Sequence, residues 1–451
     1  MSRLSRLSWR GFKRWLRRTP PTAVLATGYL LLILLGGFLL KLPISTTRPI
    51  TLTDALFTST SAVTVTGLGV IDHELTLTFW GQFFVMVLIQ LGGLGLMTFA
   101  VLVFSALGMP IGVAQTTYLR EDLKQTSYES LSRLTYTIFR IVLLAEVAGA
   151  MLLCLTFVPR YGFEMGAWHA IFHAVSAFNN AGFSTFSPGL VNFATDPIVN
   201  AVIPALFITG GLGYLVTSEI SRYRFWHGYT LHTRLMLVGT AVLIVLGVGL
   251  TAVLEWNNPK TLGQFESPVS RLAVAWFQGV TPRTAGFNTV SIGDMHDSTS
   301  LLYMALMIIG GGPTSTAGGL KVTTIMVLFL ATIAFFRRRT HVWAFGRSVN
   351  LEQVLKVMAL IALSAVLMFT AIFILTMTHD GNFLDISFEV ASAFGTTGLS
   401  RGYTGELSDF GRIVIMIVMF LGRVGPLTLG VFLATSVTSR VRYPQGQVHL
   451  G

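Results

Sequence analysis

Residues 394–400 read FGTTGLS and lie between two long apolar stretches of a chain that is mostly apolar. Small polar residues around a glycine are costly at membrane depth unless the backbone they free lines a cavity or is buried in protein. Three other segments follow the same template. Aligned without gaps, the four read FTSTSAVTVTGLG (57–69), FHAVSAFNNAGFS (172–184), WFQGVTPRTAGFN (276–288) and FEVASAFGTTGLS (388–400). Each begins with an aromatic residue and has a glycine ten residues later, which a bulky apolar residue follows; these glycines are Gly67, Gly182, Gly286 and Gly398.

A second glycine-containing string follows each loop at a similar distance. The four strings are LGGLG (91–95), TGGLG (209–213), IGGGP (309–313) and LGRVG (421–425). Two patterns in register, four times over, indicate a fourfold internal repeat. The glycine runs themselves are typical of close helix packing, and we interpret them in that way.

The composition is that of an integral membrane protein. Of 451 residues, 52% are hydrophobic and 11% are charged, whereas soluble domains carry about 25% charged residues. A helix needs about 20 apolar residues to cross a bilayer. Eight crossings are predicted, four of them at 23–40, 136–158, 235–254 and 354–377 and four beginning near residues 81, 198, 301 and 411.

The net charge of +11 raises the question of a nucleic-acid partner, but its distribution argues against one. Basic residues precede the first predicted span and recur after every second span, which is the positive-inside pattern and places both termini in the cytosol. The recurring groups are Arg120 with Lys124, Arg222 with Arg224, Arg337 to Arg339, and Arg440 with Arg442. The N-terminal segment is predicted to form an amphipathic helix on anionic membrane lipids.

Each repeat is therefore a span, a short re-entrant segment and a second span. The short segments have about ten residues before the loop glycine, too few to cross. All four units share one orientation, so an axis along the membrane normal relates them. The expected fold is all-α, with four parallel helix–re-entrant loop–helix repeats around a central pore. The predicted divisions are 1–22 (basic cytosolic N-terminus), 23–119, 120–222, 223–340 and 341–440 (repeats 1 to 4), and 441–451 (cytosolic tail).

The loops have the chemistry of a cation site. Glycine adopts left-handed backbone angles and lets carbonyls turn inward instead of closing a helix. A ring of carbonyls can replace the hydration shell of a monovalent cation. The short helix before each loop directs its negative C-terminal end at the ring, which also favours a cation.

With these motifs, nearly the whole chain, roughly residues 20–440, resembles the Ktr/Trk/HKT superfamily of potassium transporters, and within it most of all the membrane subunit of the Ktr systems. Glycine in all four loops implies potassium preference, whereas serine in the first loop would imply sodium. The loops are weaker copies of the TVGYG filter, so we expect fewer ion sites and looser selectivity than in a tetrameric potassium channel. The resemblance assigns the potassium filter to Val65, Thr66, Gly67, Leu68, Asn180, Ala181, Gly182, Phe183, Thr284, Ala285, Gly286, Phe287, Thr396, Thr397, Gly398 and Leu399.

Arg423 replaces the second glycine of the recurring string. An arginine at the centre of a span costs about 2.5–3.5 kcal/mol on insertion scales, so it should face the protein interior or a wet cavity. It either forms an ion pair that packs helices, or it places a positive charge inside the filter as a gate; the resemblance supports the gate.

The segment 310–319, GGGPTSTAGG, cannot continue a helix, and the matching segments of the other repeats are more apolar. It is either a passive kink or a flexible plug beneath the filter, and the resemblance implies the plug, which Lys321 helps to hold. We expect the plug and Arg423 to block the pore together at rest. The plug residues are Gly310, Gly311, Gly312, Pro313, Thr314, Ser315, Thr316, Ala317, Gly318 and Gly319.

Several single residues receive structural interpretations. Arg283, three residues before Gly286, is predicted to brace its loop from behind through hydrogen bonds. Asp54 and Asp385 are predicted to cap short helices. His169 and His173 form an i,i+4 pair without a third ligand, so no metal site other than the potassium filter is expected. Cys154, the only cysteine, excludes an intrachain disulfide.

An intramembrane enzyme is the alternative from another class. The acids Glu146, Glu219 and Glu389 are isolated in the sequence, and no HExxH or GxSxG string occurs, so we expect no enzyme and no cofactor bound by this chain. A sodium-permeable or poorly selective cation channel is the second alternative. The resemblance further implies a homodimer in the bacterial plasma membrane, a cytosolic ring of RCK-type regulatory subunits that bind ATP and ADP, and sodium as an activator.

Overall fold

The structure, a computed structural model, describes residues 21–94, 128–339 and 341–425. The predicted cytosolic tail 441–451 and nearly all of the predicted amphipathic N-terminus lie outside these residues. The helices are α1 (Pro21–Lys41), α2 (Leu52–Val63), α3 (His73–Thr76), α4 (Phe79–Gly93), α5 (Tyr128–Tyr161), α6 (Phe163–Phe178), α7 (Pro197–Leu212), α8 (Tyr214–Arg222), α9 (Leu231–Glu255), α10 (Pro268–Val280), α11 (Asp297–Ile308), α12 (Val322–Phe336), α13 (Leu351–Thr378), α14 (Phe383–Gly395) and α15 (Asp409–Val424).

Besides these helices, the described chain has two three-residue strands, β1 (Val342–Ala344) and β2 (Arg347–Val349). They pair antiparallel, with Val342 opposite Val349 and Ala344 opposite Arg347. The all-α prediction did not include this hairpin, which lies between α12 and α13.

The helices pack into a closed ring of four groups. In each group a longer helix contacts a short one, as α1 contacts α2, α5 contacts α6, α9 contacts α10 and α13 contacts α14. Between groups, the helix after each loop packs against the short helix of the next group. These pairs are α4 with α6, α7 with α10, α11 with α14, and α15 with α2. The last pair closes the ring, so the four short helices are brought around one centre.

Side-chain caps decide where several of these helices begin. At α2 a capping box is formed: Thr51 Oγ1 accepts from Asp54 N, and Asp54 Oδ2 accepts from Thr51 N, which confirms the predicted role of Asp54. At α14 the prediction was wrong, because Asn382 is the N-cap and accepts from Leu384 N. Asp385 lies in the first turn, where its carboxylate pairs with Arg401 Nε at 2.5 Å.

Three described helices are long and apolar enough to cross a membrane: Thr137–Tyr161, Leu231–Glu255 and Leu351–Thr378. A fourth is added if the bent pair α7 and α8 counts as one span. The helices at the other predicted positions are shorter or interrupted, so the eight crossings stay a prediction. Of the predicted spans, those that begin near residues 81 and 411 extend beyond the described residues.

The segment between α11 and α12 is not helical, as the sequence predicted. A second break lies in the second repeat, where α7 and α8 are bent by 99° about Gly213. Gly213 has φ 94° and ψ 143°, a conformation that is accessible to glycine and strained for other residues. The last residue of the string TGGLG is therefore a helix break and not a packing residue.

The first glycine of the recurring string does have the predicted packing role. A Cβ built on Gly92 would lie 1.9 Å from Val63 O, and one on Gly210 would lie 1.9 Å from Phe178 O. The same test on Gly422 gives 2.1 Å to Phe394 O. Since no Cβ tolerates such a distance, glycine is required for these helices to lie directly against the end of the short helix of their own group.

Candidate cation site

The four predicted loops have the same backbone conformation. In each, the loop glycine and the residue two positions before it both have positive φ angles. The carbonyl oxygens between them belong to Thr66, Ala181, Ala285 and Thr397. None of these four buried oxygens accepts a hydrogen bond from a described residue. The φ angles are 51° and 91° at Val65 and Gly67, 58° and 67° at Asn180 and Gly182, 65° and 77° at Thr284 and Gly286, and 49° and 91° at Thr396 and Gly398.

The four loops meet at their glycines in cyclic order. A Cβ on Gly67 would lie 2.4 Å from Ala181 O in the second loop, and one on Gly182 would lie 2.9 Å from Ala285 O in the third. A Cβ on Gly286 would lie 2.1 Å from Thr397 O, and one on Gly398 would lie 2.2 Å from Thr66 O in the first loop. Each glycine thus faces the unpaired carbonyl of the next loop. Only glycine allows both the backbone angle and this approach.

A serine or threonine hydroxyl near the middle of each segment fastens the loop to its own short helix. Ser61 Oγ accepts from Gly67 N at 3.0 Å, and Ser392 Oγ accepts from Gly398 N at 3.1 Å. Ser176 Oγ donates to Phe183 O at 2.7 Å, and Thr281 Oγ1 donates to Phe287 O at 2.6 Å. The sequence analysis missed these residues, which stand at the fifth position of the first, second and fourth segments and at the sixth position of the third.

Below the glycines, the left-handed residues connect the loops to the segment 310–319. Asn180 Nδ2 donates to Thr284 Oγ1 at 3.2 Å, which links the second and third loops. Asn180 Oδ1 accepts from Thr316 Oγ1 at 2.8 Å, and Thr396 Oγ1 accepts from Gly318 N at 3.1 Å. The segment is therefore hydrogen-bonded to two of the four loops.

Backbone hydrogen bonds hold the same segment from its sides. Gly312 N donates to Gly211 O at 2.8 Å, and Tyr214 N donates to Thr314 O at 3.1 Å, across the break between α7 and α8. Gly319 N donates to Gly422 O at 3.2 Å. Lys321 Nζ donates to Ala317 O at 2.7 Å, which confirms that this lysine holds the segment.

Arg423 joins the segment to the first group. Its side chain is only 7% exposed. One guanidinium nitrogen, Nη1, donates to Thr316 O, and Nη2 donates to Gly92 O at 2.5 Å. Ion pairs with an acid are absent for Arg423 among the described residues. The guanidinium therefore stays a positive charge next to the segment, satisfied by carbonyl dipoles.

A comparison with known families agrees with this geometry. The family model described as TrkH, cation transport protein, matches residues 30–442. The chain belongs to this family. Its members are membrane transport proteins, so the chain is not an enzyme.

Similar proteins are found along almost the full length of the chain. The Ktr system potassium uptake protein B of Bacillus subtilis is 44% identical and aligns over 97% of this chain and 98% of its own length. The potassium/sodium uptake protein NtpJ of Enterococcus hirae is 37% identical over 97% of this chain and 99% of its own length. The crystal structure of the potassium transporter TrkH from Vibrio parahaemolyticus matches with a TM-score of 0.70 and 23% identity, covering 91% of this chain and 85% of that one. That likeness establishes the fold.

Two buried carboxyl groups that the sequence left without a role lie beside two of the loops. Glu146 on α5 accepts from Asn179 Nδ2 at 3.1 Å and from Gln90 Nε2 at 3.4 Å, directly beside the second loop. Glu389 on α14 accepts from Ser400 Oγ at 2.5 Å and from Thr404 Oγ1 at 2.5 Å, behind the fourth loop. Both act as acceptors that hold neighbouring backbone in place.

The histidine pair is also part of the loop support. His173 Nε2 lies 3.0 Å from Ser184 Oγ, and His173 Nδ1 lies 2.8 Å from His169 O. His169 Nδ1 lies 2.7 Å from Thr185 Oγ1. Glu219, the third isolated acid, accepts from Thr230 N at 3.1 Å near a helix end.

A third histidine, His73, lies outside the membrane-spanning helices beside the second loop. Its ring is 4.9 Å from that of Phe183, edge to face, and its Nε2 is buried without a partner among the described residues. Burial lowers the pKa of His73 to about 4, which the neighbouring Asp72 carboxylate opposes only in part. The imidazole is therefore neutral at physiological pH.

The predicted role of Arg283, bracing the third loop through hydrogen bonds, is not seen at its Nε. Its side chain is 8% exposed, and its Nε has no hydrogen-bond partner in the part of the chain that the structure describes. It does not brace the third loop through hydrogen bonds of this nitrogen. Instead it lines a small cavity between α7, α9 and the segment 310–319.

Proposed function

We propose that this chain takes up potassium across the plasma membrane through a pore at the centre of the four loops. The observation that carries the proposal is the cycle of four glycines, each facing an unpaired carbonyl of the next loop. It is supported by relatives that are named as potassium uptake proteins.

The same proposal includes the membrane arrangement. Eight crossings and four re-entrant loops with one orientation place the pore along the membrane normal, with both termini in the cytosol. Irregular backbone is tolerated at membrane depth where it lines a cavity, and the closed packing order of the four groups is consistent with such a cavity.

The selectivity filter in this proposal consists of residues 65–68, 180–183, 284–287 and 396–399. The unpaired carbonyls of Thr66, Ala181, Ala285 and Thr397 coordinate a potassium ion in place of its water shell. The C-terminal ends of α2, α6, α10 and α14 add negative potential at the same place. These helices end at or before the filter residues, so the negative ends of their dipoles lie next to the proposed ion site.

The gate in this proposal is the segment 310–319 together with Arg423. The segment lies under the loops and is tied to Asn180 and Thr396, so it blocks the route from the filter to the cytosol. Arg423 holds it at Thr316 O and adds a charge that repels the permeant cation. The conformation described is the closed one.

Regulation is assigned to other chains. The pore subunit forms a homodimer and binds a cytosolic ring of RCK-type subunits, which carry ATP or ADP, and sodium activates uptake. These assignments are implied by the resemblance to the family. The sequence of the chain itself has short predicted cytosolic loops and no nucleotide-binding motif after a predicted strand.

The second candidate is a sodium-permeable or poorly selective monovalent cation channel. The name of the Enterococcus hirae relative, a potassium/sodium uptake protein, favours it. So does the limited likeness of the four loops to TVGYG, because each keeps one glycine of that filter. Ion fluxes separate the two candidates.

The deciding experiment is growth at micromolar to low-millimolar potassium of a bacterial strain without its own potassium uptake systems. The strain carries this chain and its cytosolic partner, or the Gly67→Ser variant, whose Cβ would lie 2.4 Å from Ala181 O. Gly249→Ser is the matched control, because a Cβ there meets nothing within 4 Å. We expect rescue by the wild type and the control, with weaker rescue and higher sodium uptake for Gly67→Ser.

Absence of rescue by the wild type, with the protein found in the membrane, would contradict potassium uptake. Equal rescue by the wild type, Gly67→Ser and Gly249→Ser would contradict the assignment of the filter to the four loops.

A further inference from the structure

The cavity beside the third loop carries two polar atoms that lack partners. Arg283 and Thr240 line it, together with Ile208, Gly211 and Gly311. Arg283 Nε and Thr240 Oγ1 are both buried without a hydrogen bond in the described part of the chain. Their side chains are 8% and 6% exposed. Because most buried polar groups in proteins are hydrogen-bonded, this pair indicates an occupant that accepts hydrogen bonds.

The second group of helices shows what occupies the equivalent place there. Asn179 stands at the position of Arg283 in the aligned loops. It donates to the Glu146 carboxylate, which lies fifteen residues before the end of α5, and to Gln90, which lies two residues before the glycine Gly92. In the second group, therefore, a buried carboxyl oxygen accepts from the eighth residue of the segment.

The third group has no such acceptor among the described residues. Ile208 lies two residues before Gly210, as Gln90 does before Gly92, so an alkyl group replaces the amide. The asparagine is replaced by a permanent cation, and the cavity around Arg283 is lined by the Thr240 hydroxyl and by no carboxylate of a described residue.

The charge of Arg283 makes this absence costly. An uncompensated charge in the interior destabilises a protein strongly, and no acid lies within ion-pair distance of Arg283 among the described residues. Next to a proposed cation filter, an unneutralised guanidinium would also repel the permeant ion. Arg423, the other buried arginine of the site, differs because two carbonyl oxygens accept from it.

We propose that the cavity binds one monatomic anion, a halide, between the Arg283 guanidinium and the Thr240 hydroxyl. The cavity volume of about 10 Å³ is enough for about one particle of the size of a water molecule, which excludes sulfate, phosphate and carboxylate ligands. In the cell the ion is chloride. It neutralises the Arg283 guanidinium beside the third loop. The site does not depend on which cation the chain transports.

Bromide is the probe that tests this site, because its anomalous scattering identifies the ion directly. Crystals of the full chain with its partner subunits, grown in sodium bromide, should show an anomalous peak in contact with both Arg283 and Thr240. The peak should be lost in Arg283→Met and weakened in Thr240→Val. Thr209→Val is the control, since its hydroxyl donates to Ala205 O within its own helix; its peak should equal that of the wild type.

Thermal unfolding in detergent gives a second readout that does not need crystals. Replacing gluconate, which is too large for the cavity, by bromide should raise the Tm of the wild type by about 2 °C or more and leave the Tm of Arg283→Met unchanged. If Arg283→Met does not fold, Thr240→Val is measured instead, and bromide should raise its Tm by less than it raises the Tm of the wild type. A water molecule without an anomalous signal at the site, or an equal Tm shift in wild type and variants, would overturn the proposal.

Discussion

The Thr316 hydroxyl donates a hydrogen bond to Asn180 Oδ1 over 2.8 Å, although 136 positions separate the two residues. Asn180 in turn donates to Thr284 Oγ1, so one side chain links the second loop, the third loop and the proposed plug. The plug cannot leave its place without releasing an amide oxygen of the proposed filter. Opening of the gate and the hydrogen bonding of the filter are therefore coupled.

Removing this hydroxyl should favour the open gate. Thr316→Val keeps the shape of the side chain and loses the bond to Asn180, which costs the closed state about 1 kcal/mol. We expect potassium uptake at rest to rise about fivefold, measured with radioactive rubidium in cells. Thr314→Val is the control, because the Thr314 hydroxyl donates to the adjacent Pro313 O. A larger rise for Thr314→Val than for Thr316→Val would contradict the coupling.

Arg423 should contribute more to the closed state than Thr316. Arg423→Gln removes the charge and at least one of the two bonds to Thr316 O and Gly92 O. Hydrogen bonds from charged groups contribute about 1.5–3 kcal/mol each, so resting uptake should rise tenfold or more. Arg423→Lys keeps the charge without the fork of donors and should give an intermediate rise. Unchanged uptake in Arg423→Gln would show that the arginine only packs helices.

The hydroxyls that fasten the loops to their short helices should affect ion selectivity. Ser392→Ala leaves Gly398 N without its acceptor, and an unsatisfied buried donor costs about 1–3 kcal/mol. The loop should relax, and the ratio of rubidium to sodium uptake should fall. Thr332→Val, whose hydroxyl donates to Leu328 O in its own helix, should leave the ratio unchanged. A ratio equal to that of the wild type in Ser392→Ala would exclude this role.

Glu255 should be among the residues on which stability depends most. Its fully buried carboxylate accepts from Asn258 Nδ2, Thr261 Oγ1, His296 N and Thr299 Oγ1. Glu255→Ala leaves all four donors unpaired, and we expect a loss of about 3 kcal/mol or more in the free energy of unfolding. Thermal unfolding in detergent measures it, with the exposed Glu266→Ala as the control. Similar midpoints for the two variants would contradict the prediction.

His73 should make the stability of the protein sensitive to acid. Its pKa in the folded chain is about 4 because of burial, below the value of about 6.5 in an unfolded chain. The unfolded state therefore binds more protons in this window, so stability is complete above pH 6.5 and falls as the pH drops toward 4. His73→Gln should reduce the loss of the unfolding midpoint between pH 7 and pH 4.5. The control is His296→Gln, at an exposed position. Its unfolding midpoint should fall between pH 7 and pH 4.5 by as much as that of the wild type.

The loops illustrate how much could be predicted from the sequence. The positions of the four glycines, the non-helical segment 310–319, the cap at Asp54 and the role of Lys321 all follow from local patterns, because glycine, proline and capping residues act on their own backbone. Three of the four hydroxyls that fasten the loops, Ser61, Ser176 and Ser392, share one position of the same alignment. They were missed because serine and threonine are common in such segments and their partners lie in the neighbouring turn.

Arg283, Asp385 and Gly213 show where local patterns fail. The predictions for Arg283 and Asp385 assumed that the residue acts on its own loop or helix, and the glycine run that contains Gly213 was interpreted as a packing surface. Asp385 pairs with Arg401, sixteen residues away. Gly213 breaks a helix where the segment 310–319 crosses it, and Tyr214 N then bonds to Thr314 O. Such partners come from other helices, and their distances are set by packing that spacing in the sequence does not express.

The sequence by itself determined that four similar units of apolar helices and glycine loops exist, because the period of apolar residues and the backbone freedom of glycine are local properties. The tertiary structure decided the cyclic order in which each glycine meets the carbonyl of the next loop, the bonds of Thr316 and Arg423, and the cavity at Arg283. These depend on the closing of the ring. That closure brings together atoms more than a hundred residues apart, and only close packing in three dimensions selects which of them meet.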